Sequence, residues 1–165
     1  MFEIPSPLAE RRCKMLRQRL NDAMKEAMRA KDTRALSTVR LILAALKDRD
    51  IANRTADARE GISDDDILKL LQSMIKQRRD SIEAYTTGNR PELAKQEQEE
   101  IDVIQSFLPK QMSEAEIDAA VDAVIAETKA ESLKQMGAVM GALSARFAGS
   151  IDMGKAGARV KAKLS

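Results

Sequence analysis

Apolar residues recur at three- and four-residue steps through seven successive segments, and no stretch alternates apolar with polar long enough to make a strand. That periodicity restricts the chain to packed helices. The residue menu agrees: Leu, Ala and nine Met against three Phe, one Tyr and no Trp leave few strand-formers. The predicted fold is all-α, with cores of Leu, Met and Ala rather than rings.

The first segment follows Ser6-Pro7, a cap and first-turn pair, and runs to about Ala30 with Leu16, Leu20, Met24, Ala27 and Met28 inward. Asp32 or Thr33 caps the second, which carries Leu36, Val39, Leu43 and Leu46 and ends near Arg54; residues 55–62, with Gly61, read as a loop. Ser63 and Asp66 open the third, whose stripe is Ile67, Leu71, Met74, Arg78, Ile82 and Tyr85 up to Gly88. Pro91 starts the fourth, with Leu93, Ile101, Ile104 and Leu108 inward. Pro109 cannot continue it and marks a hinge.

Beyond the hinge, Ser113 and Glu116 have the spacing of a capping box for a fifth helix burying Ile117, Val121, Val124 and Ile125. A sixth presents Leu133, Met136, Met140, Leu143 and Phe147, and a seventh after Asp152 carries Val160 and Leu164. The expected organisation is residues 1–14 as an extension and start of helix one, a four-helix unit over 15–108 and a small three-helix unit over 109–165.

Composition narrows the chemistry. There is no histidine, the commonest general base and metal ligand. The single cysteine, Cys13, makes neither an intramolecular disulfide nor a thiol cluster. No apolar run approaches the roughly 20 residues that span a bilayer, and Glu3 and Glu10 do not suit a transit peptide. These features lead to the expectation of a cytosolic protein with no membrane contact, no cofactor and no metal.

Several motifs invite sharper readings. Gly149 to Lys155 has the spacing of a phosphate-binding loop, but Ala156 stands where the magnesium-binding hydroxyl belongs, so a turn between helices with Asp152 as the next cap is expected. Gly137 and Gly141 form a GxxxG, read as a site where a neighbouring helix comes close. Glu97, Glu99, Glu100 and Asp102 make an acidic face without metal-ligand character. Arg78 falls on an apolar stripe, which predicts a partly buried ion pair to that face, with Arg79, Lys76, Glu97 and Glu100 as its other members.

The net charge of +2 hides a strong asymmetry. Residues 7–49 carry twelve Lys/Arg against five Asp/Glu, residues 50–131 ten against nineteen, and residues 132–165 six against one. Lys155, Arg159 and Lys163 recur every four residues along one side of the last helix, Lys161 widens the row, and Lys134 and Arg146 extend it. Such a ridge suits phosphates, and without aromatics between the cations it suits the backbone of a structured RNA rather than stacked bases. Internal charge complementarity between basic and acidic helices is the competing account.

Three collinear stretches resemble the GatB/YqeY family: KQRRDSIEAY (76–85), EIDVIQSFLPKQMSEAEI (100–117) and MGAVMGALSARFAGSIDMGKAGARVKAKL (136–164). The resemblance implies a helical unit joined to a three-helix tail like the one that the tRNA-dependent amidotransferase B subunit places against tRNA. It associates the chain with carbon–nitrogen ligase activity using glutamine as amide donor, chemistry that resides in a separate domain of the larger relative. No residue here matches a catalytic one. The expected partners are therefore tRNA or another structured RNA, or an amidotransferase or synthetase complex for which the chain is an adaptor.

Overall fold

A computed structural model describes residues 7–54 and 61–165, with side chains from residue 15 onward. The expected cap Ser6, most of the expected 55–62 loop and the side chains of residues 1–14 lie outside the described residues. Among the described residues seven α-helices follow in order: α1 (Pro7–Ala30), α2 (Thr33–Ala52), α3 (Asp64–Thr87), α4 (Pro91–Gln105), α5 (Glu114–Thr128), α6 (Met136–Arg146) and α7 (Met153–Leu164), with a 3₁₀ turn (Leu133–Gln135) before α6. No strand occurs among the described residues. The chain divides into two compact units, residues 1–107 and 108–165.

The helix ends follow from local chemistry. Asp32 accepts from the Ala35 N–H at 3.0 Å and starts α2, while Ser63 accepts from the Asp66 N–H at 3.2 Å and starts α3. Ser113 and Glu116 close a reciprocal capping box on α5, satisfying two N–H groups that the helix itself leaves open. Asp152 caps α7 by accepting from Gly154 and Lys155 N–H groups at 3.0 and 3.2 Å. That carboxylate occupies the place a phosphate would need.

In the first unit the main packing follows the cyclic order α1, α2, α4, α3, with a smaller contact between α2 and α3. The core includes Leu16, Leu20, Val39, Ile42, Leu46, Ile67, Leu71, Ile101 and Ile104, all at most 5% exposed. Met28, expected inward, is instead 51% exposed near the end of α1. Arg17 holds Asp50 by two hydrogen bonds of 2.8 and 2.6 Å and also donates to the Ile62 carbonyl at 3.1 Å, while the Ile62 N–H donates to Asp50 at 2.9 Å. Gly61 sits beside this knot at φ +86°, where an added Cβ would lie 2.5 Å from Arg17 Nη2. The backbone therefore favours glycine there, and a side chain would also displace the Arg17–Asp50 pair.

The acidic face of α4 is only partly solvated. Arg78 on α3 donates to Glu100 at 2.9 Å and to the Met74 carbonyl at 3.2 Å. Arg34 on α2 reaches Glu99 at 3.2 Å and Glu100 at 3.9 Å. The side chains of Arg78 and Glu100 are only 12% and 11% exposed, so this is the buried pair expected from the stripe. Burial and the Glu100 charge push Glu97 above the ordinary carboxylate range, with Arg78 partly offsetting them. Lys76 does not join: it is exposed and makes no ion pair among the described residues, because its position on α3 turns it away from α4. Arg34, absent from the sequence expectation, takes part instead.

In the second unit α5, α6 and α7 enclose Ile117, Val121, Val124, Val139, Leu143, Ile151, Ala156, Val160 and Leu164. Leu133 and Phe147, expected on the buried stripe of one helix, fall outside it. Leu133 is 46% exposed in the 3₁₀ turn, and Phe147 is the C-cap of α6.

Candidate nucleic-acid interface

The basic row expected to face solvent is matched by an acidic row in the same unit. Glu114, Asp118 and Asp122 recur every four residues on α5, the spacing of Lys155, Arg159 and Lys163 on α7. Glu114 meets Lys155 at 3.7 Å and Arg159 at 3.4 Å. Asp118 meets Arg159 closely and Lys163 at 3.5 Å, and Asp122 meets Lys163 closely. The partners advance together, so α5 and α7 run parallel and zip along their lengths. Arg146 is likewise engaged, by Glu127. Four of the six candidate RNA-binding cations are thus paired with carboxylates of the same unit at its surface, which corrects the expectation of an open ridge. The sequence signal was present: two oppositely charged rows at one period.

The ladder sets the local titration. The hydrogen bond from Arg159, and its charge, hold the Asp118 carboxyl below its ordinary range, with Lys163 assisting. The hydrogen bond to Asp122 raises Lys163 above the ordinary lysine range. A depressed carboxyl contributes stability above its unfolded value of about 4 and loses it as pH falls through the folded one; a raised lysine contributes below its unfolded value of about 10 and loses it as pH rises through the folded one. Reversing Lys155, Arg159 and Lys163 to Glu is therefore expected to lower the melting temperature at pH 7, least at 1 M salt where charges are screened. An unchanged melting temperature at low salt would mean that the ladder contributes nothing.

Two of the six candidate cations make no ion pair among the described residues, and both lie toward one end of the unit. Lys134 and Lys161 are exposed and make no ion pair among the described residues, and the same holds for Lys129, the C-cap of α5. Gly157 on α7 faces Met140 and Met136 of α6. Lys161, one turn further along α7, therefore lies toward the start of α6, where Lys134 stands. Next to Lys134 on α6 come Gly137 and Gly141, both exposed, and an added Cβ at either would meet nothing within 4 Å. The expected close approach of a neighbouring helix does not occur at these glycines.

A family model described as Yqey-like protein matches residues 17–164. The chain belongs to the YqeY-like family. Among curated relatives, the "Altered inheritance of mitochondria protein 41, mitochondrial" of Lachancea thermotolerans is 37% identical over 67% of this chain and 58% of its own length. The protein of the same name from Pyrenophora tritici-repentis is 33% identical over 79% of this chain and 70% of its own. The chain thus spans little more than half of the Lachancea relative. These names overturn the cytosolic expectation, since the relatives are designated mitochondrial. The features behind that expectation, a single cysteine and no membrane-spanning run, do not identify a compartment. No described helix of this YqeY-like chain is long and apolar enough to cross a membrane, and no group of three or more metal-ligating side chains occurs among the described residues.

Proposed function

We propose that this YqeY-like protein is a non-catalytic accessory that binds structured RNA, tRNA first among the candidates, through the sugar-phosphate backbone. The observation that carries the reading is the bare start of α6. Gly141 inside α6 forgoes about 0.5–1 kcal/mol of helix stability relative to alanine, Gly137 stands in the first turn, and no described residue comes within 4 Å of a Cβ added at either. Lys134, three residues before Gly137, and Lys161, toward the same end of the unit on α7, are exposed and make no ion pair among the described residues. Open backbone beside point charges suits a phosphate strand coming close.

A mobility shift with total tRNA across a salt series tests this. Lys134→Glu with Lys161→Glu is expected to weaken binding severalfold, while Lys155→Glu alone has a smaller effect because Lys155 already faces Glu114. Gly141→Leu separates function from folding: it is expected to leave stability equal or higher and yet weaken binding. Tight binding by both variants would remove the α6 surface from the account.

A second reading, an adaptor in an amidotransferase or synthetase complex, is favoured by the aliphatic side chains exposed on the first two helices, Met15, Met28, Leu41 and Ile51, each at least 50% exposed. Co-purification that survives ribonuclease treatment supports the adaptor, and loss of every partner on that treatment supports RNA.

A further inference from the structure

The largest reserve of uncommitted positive charge lies in the first unit. Of the ten Lys/Arg between residues 15 and 54, only Arg17 and Arg34 enter ion pairs among the described residues. Lys25 and Arg29 on α1, and Arg40 and Lys47 on α2, are all exposed and unpaired.

Their placement follows from the register of the two helices. The Arg17–Asp50 pair and the tight turn at residues 31–32 make α1 and α2 antiparallel neighbours, with position 17 level with position 50. Lys25 is then level with Ile42 and Arg29 with Thr38. All four cations fall within about 14 Å along the hairpin, given a rise of about 1.5 Å per residue. The buried residues of α1 (Leu16, Leu20, Ala27) and of α2 (Thr38, Val39, Ile42, Leu46) fix the inward faces. Lys25, Arg29, Arg40 and Lys47 stand on the opposite, outward ones. Acids share this surface: Asp22 stands on the outward face of α1 one turn before Lys25, Glu26 lies one turn before Arg29 toward the flank away from α2, and Asp48 lies toward the flank of α2 away from α1.

We infer that this outward face of the α1–α2 hairpin is a docking surface for the backbone of a folded RNA, with Lys25 and Arg29 on one phosphate strand and Arg40 and Lys47 on the other. The inference rests on the RNA reading above and adds a second, larger contact to it. Two rows on helices about 8–10 Å apart suit paired strands better than a single thread. Asn21 and Met28 lie between the rows, and no aromatic offers a platform for stacked bases.

The test is fluorescence anisotropy with labelled total tRNA, a 20-base-pair RNA duplex and phosphatidylserine vesicles, from about 50 to 300 mM salt. The variant carries Lys25→Glu, Arg29→Glu, Arg40→Glu and Lys47→Glu, four exposed changes checked for unchanged helicity. A second variant with Gln at the same positions guards against misfolding from charge reversal. Both RNAs are expected to bind the variants at least about tenfold more weakly, with the salt slope reduced by about 3 to 4. Failure of the wild-type protein to bind either RNA removes the functional reading itself. Wild-type binding that both variants retain in full overturns only the hairpin surface. Vesicle binding as tight as RNA binding, lost with the same substitutions, overturns RNA as its occupant.

Discussion

Replacing Glu100 with alanine is expected to destabilise the first unit by about 3–5 kcal/mol, the range for removing one partner of a buried ion pair. The Glu100 carboxylate, 11% exposed, is what Arg78 and Arg34 converge on from two other helices. Without it the Arg78 guanidinium keeps the Met74 carbonyl, at 3.2 Å, and the longer-range charge of Glu97. Arg34 has a fallback in Glu99, so the loss falls mainly on Arg78. The double substitution Glu100→Leu with Arg78→Met is expected to recover most of the loss, because two apolar side chains of similar volume avoid desolvating two charges. Urea denaturation of the three proteins checks both statements. A single substitution costing less than about 1 kcal/mol would mean that water reaches the pair freely.

This pair was legible in the sequence for a specific reason: Arg78 interrupts a stripe otherwise made of Ile67, Leu71, Met74, Ile82 and Tyr85, and a charge at a core position needs a partner. Helix order and most helix ends were legible too, since Ser63, Ser113, Asp152 and Pro91 carry their capping and first-turn chemistry in one or two residues. The candidate site was not. Helical spacing shows that Lys155, Arg159 and Lys163 share a side, but not which helix lies against that side. The same gap explains Gly137 and Gly141: a GxxxG states that close approach is permitted, and only tertiary placement decides whether anything in the chain takes it up. Arg34 escaped notice because one basic residue on a basic helix carries no periodic mark. Cellular location was misjudged because a lone cysteine and the lack of an apolar spanning run name no compartment.

Truncating Leu143 to alanine is expected to remove about 2–5 kcal/mol from the second unit, through lost burial and the cavity left behind. Leu143 is fully buried, in the C-terminal half of α6, in the cluster with Ile117, Val121, Val124, Ile151 and Val160. No large ring helps to fill this core; Phe147 packs only at its margin. A unit spanning residues 108–165 has little core to spare, since below about 70–80 residues a single hydrophobic core rarely supplies more than about 3–5 kcal/mol. The ion-pair ladder does not compensate, because side chains as open to water as Glu114 and Asp122, 70% and 65% exposed, gain little from pairing. Hydrogen exchange measures the outcome directly: amides of α5, α6 and α7 should lose most of their protection in Leu143→Ala and keep it in Leu143→Met, which nearly preserves volume. Should α7 keep its protection in the alanine variant, electrostatics and not packing would be what holds it on α5, and the ladder would have to be ranked above the core.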